Sequence, residues 1–149
     1  MSIGDAFSSE AKKALFQNAL AKGEVFLNKF PEIDHPKFFI VVGLSDDKLY
    51  TCSVYINSEI HPSIRAKQEL YNLQVPIQKA NNGFLRHDSY ACCSTLLPIE
   101  SGKINEWKNS GSCKVIGQVS EQDLEIITNT ILGSNLLSEE EIEQYFQIK

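Results

Sequence analysis

The stretch Lys37–Ser58, KFFIVVGLSDDKLYTCSVYINS, decides the predicted fold. It opens with a continuous apolar run, Phe38–Val42, and its second half, Leu49–Ile56, alternates between two faces. The polar residues Ser45–Lys48 separate these two runs. Two runs of β-forming residues joined by a short polar loop predict an antiparallel hairpin. The second strand of this hairpin ends in polar residues, and we expect the functional site at that edge of the sheet.

Four further segments around this hairpin have the composition of strands: 24–30, 73–78, 88–96 and 113–119. Pro76 restricts the second of them to an edge or a bulge of the sheet, because proline has no N–H to donate. The third is expected to end at Leu97–Ile99. Neighbouring strands follow one another too closely for helical crossovers. We therefore predict an α+β protein built on a small antiparallel β-barrel or curled sheet.

Helices are predicted on either side of the strands, at about residues 8–22, 120–133 and 138–147. Ser8, Ser120 and Ser138 are suitable N-cap residues, and Glu141 completes a capping box with the last of them. We expect the helix at 120–133 to pack across the sheet. The chain has 149 residues and no internal repeat. We therefore predict a single domain over residues 1–149.

The composition narrows the possible classes of function. Hydrophobic residues make up 42% of the chain, which is enough for an ordinary core. The formal net charge is −5, so no bulk electrostatic attraction draws the chain to nucleic acid, although a local basic patch is compatible with it. No apolar run approaches the roughly 20 residues that cross a bilayer, and no basic segment followed by an apolar one stands at the N-terminus. We therefore expect a cytoplasmic protein without a membrane partner.

Four cysteines, Cys52, Cys92, Cys93 and Cys113, lack the paired short spacings of zinc ligands. Cys92 and Cys93 are adjacent in a predicted strand, so their side chains point to opposite faces and do not pair with each other. In a cytosolic protein such cysteines are usually reduced and packed in the core. We expect four free thiols, no metal site and no cofactor.

Several short motifs follow one another along the chain in a characteristic order. They are GEVF at 23–26, FIVVGLS at 39–45, VYINS at 54–58, GFL at 83–85, DSYAC at 88–92, STLLPI at 94–99 and VIGQVS at 115–120. Their order and spacing resemble the MazF/PemK (Kid-like) toxins of toxin–antitoxin systems. The resemblance implies an SH3-like barrel with peripheral helices and a metal-independent endoribonuclease that cleaves single-stranded RNA. It also implies a homodimer and a cognate antitoxin as protein partner.

The sequence departs from this family where the chemistry is expected, because members pair an arginine before the second strand with a threonine or serine at the end of the third. Here Lys37 stands at the arginine position, with His35 two residues earlier. Asn57 stands at the threonine position and is followed by Ser58. Some members also use an arginine and an aspartate in the strand that here includes 91–94, and neither is present. A lysine offers a phosphate a point charge but not a bidentate fork, so the resemblance implies a rearranged active site.

Cleavage of RNA through its 2′-hydroxyl needs a base, an acid and a cation at the phosphate. Histidine is the side chain that most readily exchanges a proton near neutral pH, and each of the three histidines has a lysine or an arginine nearby in the sequence. The predicted catalytic residues are Lys37, His35, Ser58 and His61, and the predicted substrate-binding residues are Asn57, Arg65, Arg86 and His87.

The same residues also have a plainer interpretation. Loops over a barrel are polar whether or not they act, so all three histidines can be exposed loop residues beside ordinary surface charges. The alternative function is a non-catalytic SH3-like barrel that binds a protein or peptide partner. The acidic net charge and the missing arginine and threonine favour this alternative, whereas the order of the segments favours the nuclease family.

Overall fold

A computed structural model describes residues 20–148. Its six strands are β1 (Glu24–Asn28), β2 (Lys37–Leu44), β3 (Tyr50–Asn57), β4 (Gln74–Ile77), β5 (Ser89–Glu100) and β6 (Cys113–Gln118). Its five α-helices are α1 (Pro62–Arg65), α2 (Gln68–Tyr71), α3 (Ser101–Ser110), α4 (Glu121–Leu132) and α5 (Glu139–Phe146), and a 3₁₀ turn covers Lys79–Asn81. The predicted helix at 8–22 falls mostly outside the described residues, and Leu20 and Ala21, which are described, are not helical. None of the helices within 20–148 is long and apolar enough to cross a membrane.

The strands form one antiparallel sheet in the order β4-β5-β3-β2-β1-β6. The predicted α+β class and the antiparallel pairing are confirmed. The two outer strands, β4 and β6, are not hydrogen-bonded to each other, so strand pairing leaves the sheet open and does not close the predicted barrel. Pro76 lies in the outer strand β4, as its missing N–H predicts.

The predicted hairpin consists of β2 and β3, and both faces of β2 are buried. On one face Ile40 and Val42 are fully buried in a core that includes α4, which packs across β2, β4 and β5 as predicted. On the other face Phe39 and Val41 belong to a second core, which α3 covers. Burial on both faces explains why Phe38–Val42 is continuously apolar and does not alternate.

Side chains link the two open ends of the sheet. After β4 the chain passes Asn82 and Phe84 before it reaches β5. The side chain of Asn82 is hydrogen-bonded to atoms at the start of α4, directly after β6. The ring of Phe84 lies so close to Gly117 of β6 that a Cβ atom at this glycine would stand 2.9 Å from it. The sheet therefore curls until its two ends meet through this loop.

The two C-terminal helices begin at the predicted residues. The hydroxyl of Ser120 accepts a hydrogen bond from the backbone N–H of Asp123 at 3.2 Å, as an N-cap residue does. Ser138 and Glu141 form the predicted capping box, in which each side chain accepts from the other residue's backbone N–H. These local signals set the residues at which α4 and α5 begin.

Strand β5 is longer than predicted. The expected end at Leu97–Ile99 is wrong, because the strand continues through Pro98 to Glu100. Strand β4 pairs with β5 only as far as Cys92, so the outer edge of β5 is free of β4 beyond that point. An edge of this kind is where a sheet tolerates proline.

All four cysteines are free and buried, as predicted. Burial raises the pKa of Cys52 and that of Cys93 to about 12, and it raises the pKa of Cys113 to about 11. Since the thiolate is the reactive form, we expect the folded protein to resist alkylation, whereas denaturation without reductant should expose four reactive sites. Mass measurement after each treatment tests this, and two or fewer modified sites in the denatured chain would contradict it.

Candidate functional site

A cleft of about 340 Å³ lies where β2 begins and β3 ends, and we call it the strand-end cleft. Residues 35–38 and 56–59 form its first wall. Residues 85–87 and 89, in and after the loop that precedes β5, form the second wall. Six of the eight predicted site residues line this cleft: His35, Lys37, Asn57, Ser58, Arg86 and His87.

The position of Lys37 follows from the hairpin register. Phe38 pairs with Ile56, which sets Lys37 beside Asn57 at the strand ends. The Lys37 ammonium donates a hydrogen bond to Oδ1 of Asn57, and it lies 5.2 Å from the centroid of the Tyr55 ring. The ammonium is thus held by a carbonyl oxygen and by the face of an aromatic ring, which attracts cations.

The charge of Lys37 is partly removed from water. Burial lowers the pKa of Lys37 below the ordinary lysine value, while Cys92 acts in the opposite direction and raises it. Within residues 20–148 Lys37 forms no salt bridge, and its hydrogen-bond partner Asn57 is neutral. A phosphate bound here would supply the negative charge that this half-buried cation lacks.

Arg86 and His87 lie on the loop that forms the second wall. Hydrogen bonds of the next two residues, Asp88 and Ser89, hold the backbone of this loop. Asp88 accepts a hydrogen bond from the backbone N–H of Lys79 at 2.9 Å. The hydroxyl of Ser89 donates to the carbonyl oxygen of His87 at 3.1 Å. Arg86 and His87 are themselves exposed, so the loop adds an accessible guanidinium and an accessible imidazole to the lining of the cleft.

Four apolar residues, one carboxylate and one further serine complete the lining: Pro36, Phe38, Ile56, Leu85, Glu59 and Ser89. Glu59 was not among the predicted site residues, and neither was Tyr55, whose ring supports the ammonium of Lys37. The alternation of β3 was the available signal for Tyr55, because it places this ring on the same face as Asn57. The lining therefore includes a cationic residue on each wall, Lys37 and Arg86, and one carboxylate, Glu59, at the end of the first wall.

His61 and Arg65 lie outside the strand-end cleft. His61 is the N-cap of α1, where its Nδ1 atom accepts a hydrogen bond from the backbone N–H of Ser63 at 3.1 Å. The Nε atom of Arg65 donates to the carbonyl oxygen of Ile60 at 3.4 Å. Both side chains have local structural contacts, and the structure does not bring them together with the other six predicted residues.

Within residues 20–148, no group of three or more histidine, cysteine or acidic side chains is arranged to hold a metal ion.

No protein-family model matches this chain. A search of curated proteins also finds no significant match.

Proposed function

We propose that this protein is a divergent MazF/PemK-like toxin and that its strand-end cleft cleaves single-stranded RNA without a metal ion. One observation carries the proposal. Lys37, Asn57 and Ser58, which match the phosphate-binding edge of that family, lie in one cleft with Arg86 and His87 from a separate loop. Cations on two walls of one cleft are an arrangement that suits a phosphodiester.

The proposed reaction is a transesterification within the RNA chain. A base removes the proton of a 2′-hydroxyl, which attacks the adjacent phosphorus, while an acid protonates the departing 5′-oxygen. The products carry a 2′,3′-cyclic phosphate and a 5′-hydroxyl. His35 and His87, on opposite walls, are the candidates for base and acid, and the assignment between them stays open. Lys37 and Arg86 stabilise the charge that develops on the phosphate oxygens, and the Ser58 hydroxyl helps to position them.

The proposal extends to the fold and to the partners that the family resemblance implies. We assign the curled sheet to the SH3-like barrels, and the link through Asn82 and Phe84 between the loop after β4 and the region of β6 supports this assignment. The protein would act in the cytoplasm as a homodimer that a cognate antitoxin holds inactive.

A second candidate is a non-catalytic barrel whose cleft binds a protein or peptide partner. The carboxylate of Glu59 in the cleft and the net charge of −5 favour it, because both repel RNA. The apolar part of the lining, which includes Phe38 and Leu85, would contact the side chains of such a partner.

The two candidates differ in a direct assay. We expect the purified protein to cleave a mixed-sequence single-stranded RNA in the presence of a chelator and to leave 2′,3′-cyclic phosphate ends. Arg86→Ala should reduce cleavage by roughly tenfold to a hundredfold, since it removes a charged contact to the phosphate. Arg65→Ala is the matched control, because Arg65 lies outside the cleft, and it should leave cleavage unchanged. Absence of cleavage by the wild type at high protein excess would favour the partner-binding barrel.

A further inference from the structure

Asn82 is a buried amide whose hydrogen bonds join three parts of the chain. Its side chain is 1% exposed. Its Nδ2 atom donates to the carbonyl oxygen of Gln78 at 2.9 Å and to Oδ2 of Asp123 at 2.7 Å. Its Oδ1 atom accepts from the backbone N–H of Ser120 at 2.9 Å. One side chain thus ties the end of the β4 segment and the loop after it to the first turn of α4.

The residues that follow Asn82 carry the second wall of the strand-end cleft. The backbone N–H of Leu85 donates to the carbonyl oxygen of Asn82 at 3.0 Å, and Leu85 is buried. The ring of Phe84 fills the space above Gly117. Arg86 and His87 come next and are exposed, so the path of the backbone before them determines where they stand.

All three hydrogen bonds depend on the side chain of Asn82. An intramolecular hydrogen bond contributes a modest free energy, which is larger when one partner is charged, as Asp123 is here. Truncation of this side chain would remove one hydrogen-bond partner from three groups at once: the backbone carbonyl of Gln78, the backbone N–H of Ser120 and the carboxylate of Asp123. The loop would then be held by Phe84, by the buried side chain of Leu85 and by the contact between Asp88 and Lys79.

We propose that Asn82 is a positioning residue for the strand-end cleft: it fixes the loop so that Arg86 and His87 face the wall that carries Lys37. This inference rests on the proposed action of the cleft on RNA. Because the bonds of Asn82 end at Ser120 and Asp123, a displacement of the start of α4 would also displace the second wall. Asn82 itself does not line the cleft.

The test compares Asn82→Ala with Asn81→Ala, a neighbouring asparagine that is exposed. In Asn82→Ala we expect hydrogen exchange of the backbone amides of residues 83–88 to rise by roughly tenfold or more, while β2 and β3 keep their protection. We also expect kcat/KM for RNA to fall by about tenfold, mainly through kcat, because Arg86 and His87 act on the charge and the proton of the transition state. Asn81→Ala should change neither quantity.

A reciprocal pair separates positioning from general destabilisation. Asn82→Asp places two carboxylates together and should be as defective as Asn82→Ala. Adding Asp123→Asn to it restores a donor and an acceptor across the same pair, and it should recover part of the exchange protection and part of kcat/KM. If Asn82→Ala does not fold, Asp123→Ala removes one of the three bonds and should raise exchange of residues 83–88 by a smaller factor.

The outcomes are distinct. Unchanged exchange of residues 83–88 in Asn82→Ala, or in Asp123→Ala where that variant is used, would overturn the proposed hold on the loop. Faster exchange with unchanged kcat and kcat/KM would overturn the positioning role. If the wild type neither binds nor cleaves RNA, the proposed function fails, and the exchange of residues 83–88 still decides whether Asn82 holds the loop.

Discussion

Replacing Lys37 by alanine is expected to reduce RNA cleavage by roughly thirtyfold to a thousandfold, which corresponds to about 2–4 kcal/mol of transition-state stabilisation. The side chain lies half-buried at the start of β2, and its ammonium is held by Asn57 and by the Tyr55 ring. A cation in a fixed position and partly out of water stabilises developing negative charge more than a mobile surface lysine does. Cleavage by wild type and Lys37→Ala with chelator present measures the effect.

Two control variants test whether the loss of cleavage is due to the positive charge at position 37. Lys67→Ala removes an exposed lysine far along the chain from β2, and it should leave cleavage unchanged. Lys37→Arg keeps the positive charge and restores the residue type of the MazF/PemK-like family, so it should retain far more activity than Lys37→Ala. Equal cleavage by Lys37→Ala and wild type would remove Lys37 from the site and favour the partner-binding barrel.

The pH dependence of RNA cleavage should reflect the ionisation of Lys37. The stabilising form is the protonated ammonium, and burial lowers the pKa of this group below its ordinary value of 10.5. Activity that needs the cation is therefore lost on raising the pH through that lowered value, earlier than for an exposed lysine. Lys37→Arg should lack this alkaline limb, because the guanidinium stays protonated.

The hairpin could be predicted from the sequence because its signals are local. The apolar run Phe38–Val42, the polar turn and the alternation of Leu49–Ile56 each depend on neighbouring residues only. Once the hairpin is accepted, its register brings Lys37 and Asn57 together, so the first wall of the cleft follows from the sequence. The caps at Ser120 and Ser138 are local in the same sense.

The second wall could not be derived in this way. Arg86 and His87 reach the cleft because Asn82 and Phe84 bind the loop to the region of β6 and α4, and these contacts join segments far apart in the chain. Sequence proximity placed Arg86 and His87 among the predicted site residues, and it suggested His61 as well. The chain turns away there, since His61 caps a helix that begins at Pro62. Pro62 was a local signal for that turn.

Replacing Phe39 by alanine is expected to lower the free energy of unfolding by about 3–5 kcal/mol, the usual cost of deleting a buried aromatic ring. Phe39 is fully buried in the second core. Its ring stacks on Phe26 at a centroid distance of 5.3 Å and meets Phe30 and Trp107 edge-on at 5.9 and 6.4 Å. For a chain of this size the loss corresponds to a decrease in Tm of roughly 10 °C. Thermal and urea unfolding followed by circular dichroism measure it.

Tyr71→Ala is the matched control for this variant, because Tyr71 is an aromatic residue that is 40% exposed. Its removal should change the stability by no more than about 0.5 kcal/mol. A loss below about 1 kcal/mol in Phe39→Ala would contradict the burial of this face of the sheet beneath Trp107 and α3.

Phe39 and Lys37 lie two residues apart on the same face of β2, so the two variants separate stability from chemistry. Phe39→Ala removes packing and leaves the polar contacts of Lys37 in place, so below its lowered Tm it should still cleave RNA at a measurable fraction of the wild-type rate. Lys37→Ala removes a cation from the protein edge and should lose cleavage with little change in Tm. If Lys37→Ala cleaved RNA at the wild-type rate below its own Tm and lost activity only above it, the loss would reflect unfolding, and the role of the ammonium at the phosphate would be refuted.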